Sequence, residues 1–148
     1  GPPPAGHLVH LLLSHADRDG FRCVVAFLHE APVGFAYGYT GRRGQWWTEQ
    51  VARHLDGAKA REWLGDHFEL VELHVHPSYQ GQGIGGRLHD RLLEGLPHRR
   101  ALLSTRQGPT VAVAMYRSRG WELVAGPIRF DGTDHPYLIF GKRLERGA

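Results

Sequence analysis

Between the apolar run Val71-Glu72-Leu73-His74-Val75 and the helical pattern Ile84, Leu88, Leu92, Leu96 lies the segment Gln80-Gly81-Gln82-Gly83-Ile84-Gly85-Gly86. Glycines this dense between a strand and a helix let the backbone approach a ligand closely. The N–H groups of the first helical turn, aided by the helix dipole, then point at an anion. The chemistry on offer is phosphate binding. Gly81, Gly83 and Gly86 satisfy the dinucleotide pattern G-x-G-x-x-G, which needs its first glycine tight against the strand end and an acidic residue ~20 positions on. Neither condition holds: Pro77 to Gln80 intervene, and Ala101 to Arg106 contains no acid. A Walker loop is excluded because no Gly-Lys-Ser/Thr follows the glycines.

Written as Gln80-x-x-Gly83-x-Gly85 after a strand and Pro77, the same segment resembles the acetyl-coenzyme A binding motif of the GNAT superfamily of N-acetyltransferases, where arginine is the commoner first residue. Met115-Tyr116-Arg117-Ser118-Arg119-Gly120-Trp121 is similar to that family's helix carrying Y-x-x-x-G-[FW]. The motifs stand in the family's order and spacing, within a resemblance covering roughly Arg22 to Leu144. The resemblance implies an α+β fold, a mixed β-sheet flanked by helices and splayed at the strand preceding the glycine-rich loop. It implies acetyl-coenzyme A as donor, held at Gln80, Gly81, Gln82, Gly83, Ile84, Gly85 and Gly86, with backbone N–H groups around the pyrophosphate. Leu73, His74 and Val75 would offer unpaired main-chain groups to the thioester and pantetheine, the oxyanion donor among them. Thr110 or main chain would stand where relatives place an asparagine for pantetheine. Arg119 and Arg87 could meet coenzyme phosphates, although each is also an ordinary surface charge.

Acetyl transfer to an amine requires a neutral nucleophile, a bound thioester, stabilisation of the tetrahedral oxyanion and a proton for the departing thiolate. Tyr116 is the candidate for the proton. Val111, Ala114, Met115 and Ser118 fall on one helical stripe, which sets Tyr116 on the flank beside the packed face. A phenol with a pKa of about 10 is still protonated when a thiolate of pKa about 8.5 leaves. The helix pattern alone favours a packing tyrosine; the motif favours the acid. For the base, alternation puts Glu72 with His74 and His76 on one strand face and Glu69 with Leu73 and Val75 on the other. Glu72 is therefore the better candidate for a cleft and Glu69 the alternative, with a solvated strand glutamate as the bland reading. His74 could shuttle protons beside Glu72. His74-x-His76 finds no third ligand at a metal-site spacing, so no metal is expected. Leu103-Ser104-Thr105-Arg106 lacks the glutamate that some relatives carry on that strand. Gln45-Trp46-Trp47, behind Arg42-Arg43, is either core packing or an aromatic wall for an acceptor.

The elements that must hold these residues follow from the hydrophobic period. His7 to Ala16 reads as the end of a helix; Arg22 to Glu30 and Val33 to Thr40 form a hairpin about Ala31-Pro32; Trp46 to Leu55 and Ala58 to Leu64 are helical. Phe68 to Val75 and Ala101 to Thr105 are strands, Thr110 to Arg119 a helix, and Trp121 to Val124 and Tyr137 to Arg143 strands. The family normally opens with a strand and two helices before the hairpin. Here there is room for one helix, so the native chain is longer or its N-terminal element is reduced.

The length of 148 residues suits one domain over 1–148, burying roughly 70% of its unfolded surface. The net charge is +3, and of 18 basic residues only Lys59 and Lys142 are lysines. With 15 acidic residues dispersed through the chain, the arginines read as solvated surface; no nucleic acid partner is expected, and the bias suits an anionic coenzyme. No apolar run approaches the ~20 residues needed to span a bilayer, and no signal peptide is evident. A lone cysteine, Cys23, excludes an internal disulfide, so the expectation is no membrane partner and a cytoplasmic protein. Cys23 sits in an apolar run and reads as inert core. The expected function is acetyl-coenzyme A dependent N-acetylation of a primary amine, small molecule or peptide, by direct attack in a ternary complex. The alternative is a coenzyme A-binding module with lost or regulatory catalysis, and a homodimer is left open.

Overall fold

A computed structural model describes residues 15–108 and 110–144. In chain order the elements are β1 (Arg22–Leu28), β2 (Ala31–Gly41), α1 (Trp46–Ala52), α2 (Gly57–Trp63), β3 (His67–Val75), a 3-10 turn at Pro77–Tyr79, α3 (Ile84–Leu93), β4 (Arg100–Arg106), α4 (Val111–Ser118), β5 (Glu122–Ile128) and β6 (Tyr137–Arg143). The strands form one mixed sheet in the order β1-β2-β3-β4-β6-β5. The pair β3/β4 is parallel, with His67–Glu69 opposite Arg100–Leu102. The pairs β1/β2, β4/β6 and β5/β6 are antiparallel. By internal contacts the chain forms two compact units, one holding the residues up to Thr40 with Leu70–Glu94, the other Gly41–Glu69 with the residues from Gly95 on. The helix expected over 7–16 lies outside the described residues except at its last positions, where His15 is helical.

In the first unit β1 and β2 are joined by a two-residue turn. Leu28 pairs Ala31, and His29 and Glu30 take φ of 50° and 69°. The turn is therefore His29-Glu30 and not Ala31-Pro32, because two left-handed residues match the strand twist and leave Pro32 inside β2 opposite Phe27. Exposure alternates along β1, so Cys23, Val25 and Phe27 face outward. Cys23 is exposed and does not belong to the core, since an edge strand buries only one side of an apolar run. Partial burial nevertheless pushes its thiol pKa up, away from a reactive thiolate. Helix α3 buries Leu88 and Leu92 and ends before Gly95, whose φ is 71°. Leu96, expected to continue the helical stripe, is buried beyond the helix end.

Gly34 on β2 is a close-approach position. A Cβ there would stand 2.8 Å from the His74 carbonyl oxygen, and a backbone neighbour cannot swing aside. Gly34→Ala is expected to cost about 1–3 kcal/mol, the usual range for overpacking, measured by urea unfolding.

The second unit buries Val51 of α1 and Trp63 of α2 among Leu102, Val124, Phe130 and Ile139. Asp56 caps α2, accepting from the Lys59 N–H at 2.8 Å. Gly141 lets the Trp63 indole lie on β6, for a Cβ would fall 2.5 Å from the ring. His67 is fully buried. Its Nδ1 accepts from the Gly65 N–H at 3.3 Å, which puts the proton on Nε2, and a Cβ on Gly41 would lie 1.9 Å from that nitrogen. Burial, helped by His98 and opposed by Asp66, pushes the His67 pKa down to about 4 from 6.5. A folded value below the unfolded one means that the stabilisation is complete above about pH 6.5 and is lost as the pH falls towards about 4. The loss is on the order of 3 kcal/mol. Urea unfolding followed against pH should lose this component in His67→Phe.

Helix α4 turns a different face inward from the stripe expected. Val111 is 89% exposed, and the buried residues are Val113 and Tyr116. The end of the helix sets this phase. Trp121 N–H donates to the Tyr116 carbonyl at 3.1 Å and Gly120 N–H to the Arg117 carbonyl at 3.2 Å, with Gly120 at φ 87°. These are the paired bonds of a Schellman motif. They bring the buried Trp121 edge-on to the Tyr116 ring, centroids 5.7 Å apart. Tyr116 is thus on the packed face, not on its flank.

Candidate active site

Phosphate binding needs free donors, and the start of α3 supplies them. Gly83, at φ 82°, is the N-cap and has no side chain to cap the helix. The first bond of the helix runs from the Arg87 N–H to the Gly83 carbonyl at 3.2 Å. The N–H groups of Ile84, Gly85 and Gly86 precede it, so the helical ladder satisfies none of them. Gly81 also has positive φ, and a Cβ at Gly81 or Gly83 would meet no atom within 4 Å, so these two glycines serve backbone conformation and not close packing. The loop is braced on both sides. Gln80 Nε2 donates to the Val75 carbonyl at 3.1 Å, and His76 Nδ1 accepts from the Ser78 N–H at 3.1 Å. Gln80 therefore ties the loop back to the end of β3.

Upstream on β3, Glu72 and His74 meet as alternation requires: Glu72 Oε2 and His74 Nε2 are 2.5 Å apart, with side chains 22% and 25% exposed. Phe35 lies against the His74 ring at 5.5 Å. Glu69 is only 4% exposed, so of the two glutamates Glu72 is the more open to solvent. A further neighbour is His15, which the sequence marks only as part of the helical run over 7–16. Its Nδ1 is 2.9 Å from the Tyr37 hydroxyl, and its ring meets Tyr39 edge-on at 5.2 Å. Burial lowers its pKa, Arg18 lowers it further, and Glu72 acts in the opposite direction. No local pattern foretells that grouping; it comes from contacts between His15 and residues more than 20 positions away.

The remaining candidates belong to the second unit, apart from Arg87. Tyr116 is buried in the helix end described above. Thr110 is the N-cap of α4, its Oγ1 accepting from the Val113 N–H at 3.0 Å, which leaves its hydroxyl proton for another acceptor. Arg119 is the C-cap of α4, and its carbonyl accepts from Lys142 Nζ at 2.5 Å. Arg87 lines a groove beside β1. The tryptophans divide: Trp47 donates from Nε1 to Ser104 Oγ at 3.2 Å, whereas Trp46 is 55% exposed and leans on Phe130. Among the described residues no group of three His, Cys, Asp or Glu side chains converges as metal ligands.

Comparison with known proteins covers the same elements. The sequence profile of the Acetyltransferase (GNAT) family matches residues 2–121. A GCN5-like protein acetyltransferase of Mycobacterium tuberculosis is 36% identical over 128 residues, 80% of this chain and 62% of that protein. The chain thus spans less than two thirds of that relative's length. Ribosomal-protein-alanine N-acetyltransferase from Brucella melitensis superposes with a TM-score of 0.64 at 23% identity, covering 93% of this chain and 78% of its own. The PaiA N-acetyltransferase of Thermoplasma acidophilum, solved in complex with coenzyme A, superposes with a TM-score of 0.58 at 15% identity, covering 94% and 70%. At these identities the two structures speak for the fold. The family match runs through β3, the glycine loop and the tyrosine-bearing helix, and the chain accordingly belongs to the GNAT family of acetyltransferases, which are acyltransferases.

Proposed function

We propose that this protein is an acetyl-coenzyme A dependent N-acetyltransferase that acts on a primary amine by direct attack within a ternary complex. The observation that carries the proposal is the uncapped start of α3, three consecutive N–H groups behind two positive-φ glycines that follow the 3-10 turn after β3. That is the arrangement a pyrophosphate needs. Gln82 to Gly86 would hold the pyrophosphate by main chain, with Gln80 and Gly81 shaping the loop. Thr110 and Arg119 are assigned to pantetheine and phosphate on family resemblance. The family match spans both units, which supports reading 1–148 as one acetyltransferase domain. A relative solved with coenzyme A supports the donor.

In the proposed reaction the amine nitrogen bonds to the acetyl carbonyl carbon, the carbon–sulfur bond breaks, and the amine proton passes to Glu72, directly or through His74. Main-chain N–H groups of Leu73 to Val75 would stabilise the oxyanion, and Tyr116 would protonate the departing thiolate. Acceptors would be small molecules or peptides, in the cytoplasm. No described helix is long and apolar enough to cross a membrane.

Tyr116→Phe keeps both the carbonyl that closes the helix and the ring that meets Trp121, so it isolates the hydroxyl. Turnover is expected to fall ~10-fold or more, less than the ~100-fold at the low end of general-acid effects because bulk water can partly protonate the thiolate, with coenzyme affinity nearly unchanged. Full activity with chemistry rate-limiting would make Tyr116 a packing residue. One observation favours a second reading, a coenzyme-binding module without turnover: the spacing Y-x-x-x-G-W is accounted for by the Schellman motif alone. Thiol release from acetyl-coenzyme A with a panel of small amines, aminoglycosides, amino acids and peptide N-termini separates the two. Amine-dependent release supports the enzyme; saturable coenzyme binding with no release from any acceptor supports the module.

A further inference from the structure

Beside Glu72 in the first unit runs a row of rings to which the proposed reaction assigns no role. Phe35, Tyr37 and Tyr39 alternate along β2 and so share one face of the sheet. The Phe35 ring stacks on Tyr37, centroids 6.4 Å apart and planes 10° from parallel. On the neighbouring strand the His74 ring lies 5.5 Å from Phe35. Tyr37 is fully buried, and its hydroxyl meets His15 Nδ1 at 2.9 Å, so Phe35 rests on a support that cannot swing away. Phe35 itself is only partly buried. One imidazole thus separates an oriented aromatic ring from the Glu72 carboxylate, which stands 2.5 Å from His74 Nε2. Tyr39 shows what a ring face in this row attracts, for the Arg18 guanidinium lies over it at 4.9 Å. Burial and Arg18 lower the pKa of His15. At neutral pH the tether on Tyr37 therefore adds no charge that would repel a cation.

We propose that Phe35 is the specificity-determining residue of the acceptor subsite, and that the acceptor is an alkylammonium ion with no carboxylate on the amine-bearing carbon. The assignment rests on the acetyltransferase reading above, in which Glu72 receives the amine. An ammonium bonded to Glu72 at ~2.8 Å turns its first methylene groups, which share the positive charge, towards the Phe35 ring. A cation and a ring face attract one another within ~6 Å. An α-amino acid instead brings its own carboxylate up to Glu72, and like charges set together in a partly buried site repel strongly. Arg18 cannot relieve that repulsion. It stands over Tyr39, four residues or ~14 Å along β2 from Phe35, whereas an α-carboxylate stays next to its amine.

Pentylamine and norleucine test the proposal, because they share the chain and the amine and differ by the carboxylate alone. Ligand-observed NMR titration of the protein at pH 7 reads their binding without acetyl transfer. The ranking can therefore fail while turnover stands, or hold where turnover is absent, which keeps this proposal separable from the acetyltransferase reading. Pentylamine should bind about 10-fold tighter or more, as the like-charge cost requires. Phe35→Leu should weaken pentylamine about 5-fold, within the range of a partly buried cation–π contact, and Phe35→Tyr, which keeps the ring face, should retain most of the affinity. In turnover assays the Phe35→Leu loss should fall on KM with kcat nearly unchanged. Norleucine binding as tightly as pentylamine would overturn the proposal, since a cation would then be meeting the carboxylate. So would parental affinity in Phe35→Leu, or an equal loss in Phe35→Leu and Phe35→Tyr with both folds intact, either of which makes Phe35 a packing residue.

Discussion

Glu72→Gln is expected to lower turnover about 100-fold at pH 7, the lower end for loss of a general base, and by progressively less as the pH rises. An alkylamine with a pKa of about 10.4 arrives protonated, and its neutral fraction grows about tenfold per pH unit until the solution reaches that value. The parent removes the proton with its carboxylate; the variant depends on amine that is already neutral. Their rates therefore converge in alkali. The glutamine keeps the shape of the side chain beside His74, so thermal unfolding should move little. Superimposable pH profiles would shift the base to Glu69 or to water.

Gly85→Val should weaken acetyl-coenzyme A by about 100-fold or more while leaving the fold intact. Gly85 lies in the first turn of α3 and has no positive φ, and valine is a better helix former than glycine. The loss would come from a branched side chain placed beside the N–H groups that receive the pyrophosphate. Gly83 is a poorer test, because its φ of 82° strains any other residue there. A destabilised Gly83 variant would confuse folding with binding.

The glycine loop was legible because its requirements are local: a strand, two left-handed positions and an uncapped helix start can all be read from consecutive residues. The facing of Glu72 and His74 was legible for the same reason, a period of two. Helix α4 shows where local pattern stops. Its apolar positions admit more than one stripe, and the choice was made by Gly120 and Trp121 folding back on Tyr116, residues beyond the helix that the stripe omitted. Cys23 was misplaced because nothing in an apolar run marks a strand as an edge. The contacts of His15 with Tyr37 and Tyr39 join the chain before β1 to β2, and the burial of Val51 and Trp63 depends on strands far along the sequence. Neither leaves a trace in local periodicity.

The most direct measurement is titration calorimetry of the parent and Gly85→Val with two donors, acetyl-coenzyme A and S-acetylpantetheine, which lacks the pyrophosphate. The parent is expected to prefer the coenzyme by about 100-fold or more, and Gly85→Val to bind the two donors almost equally because the donors at the start of α3 no longer reach the phosphates. If the parent binds both donors alike, or if Gly85→Val retains the full preference with its fold intact, the pyrophosphate does not sit on this helix and the proposed site is wrong.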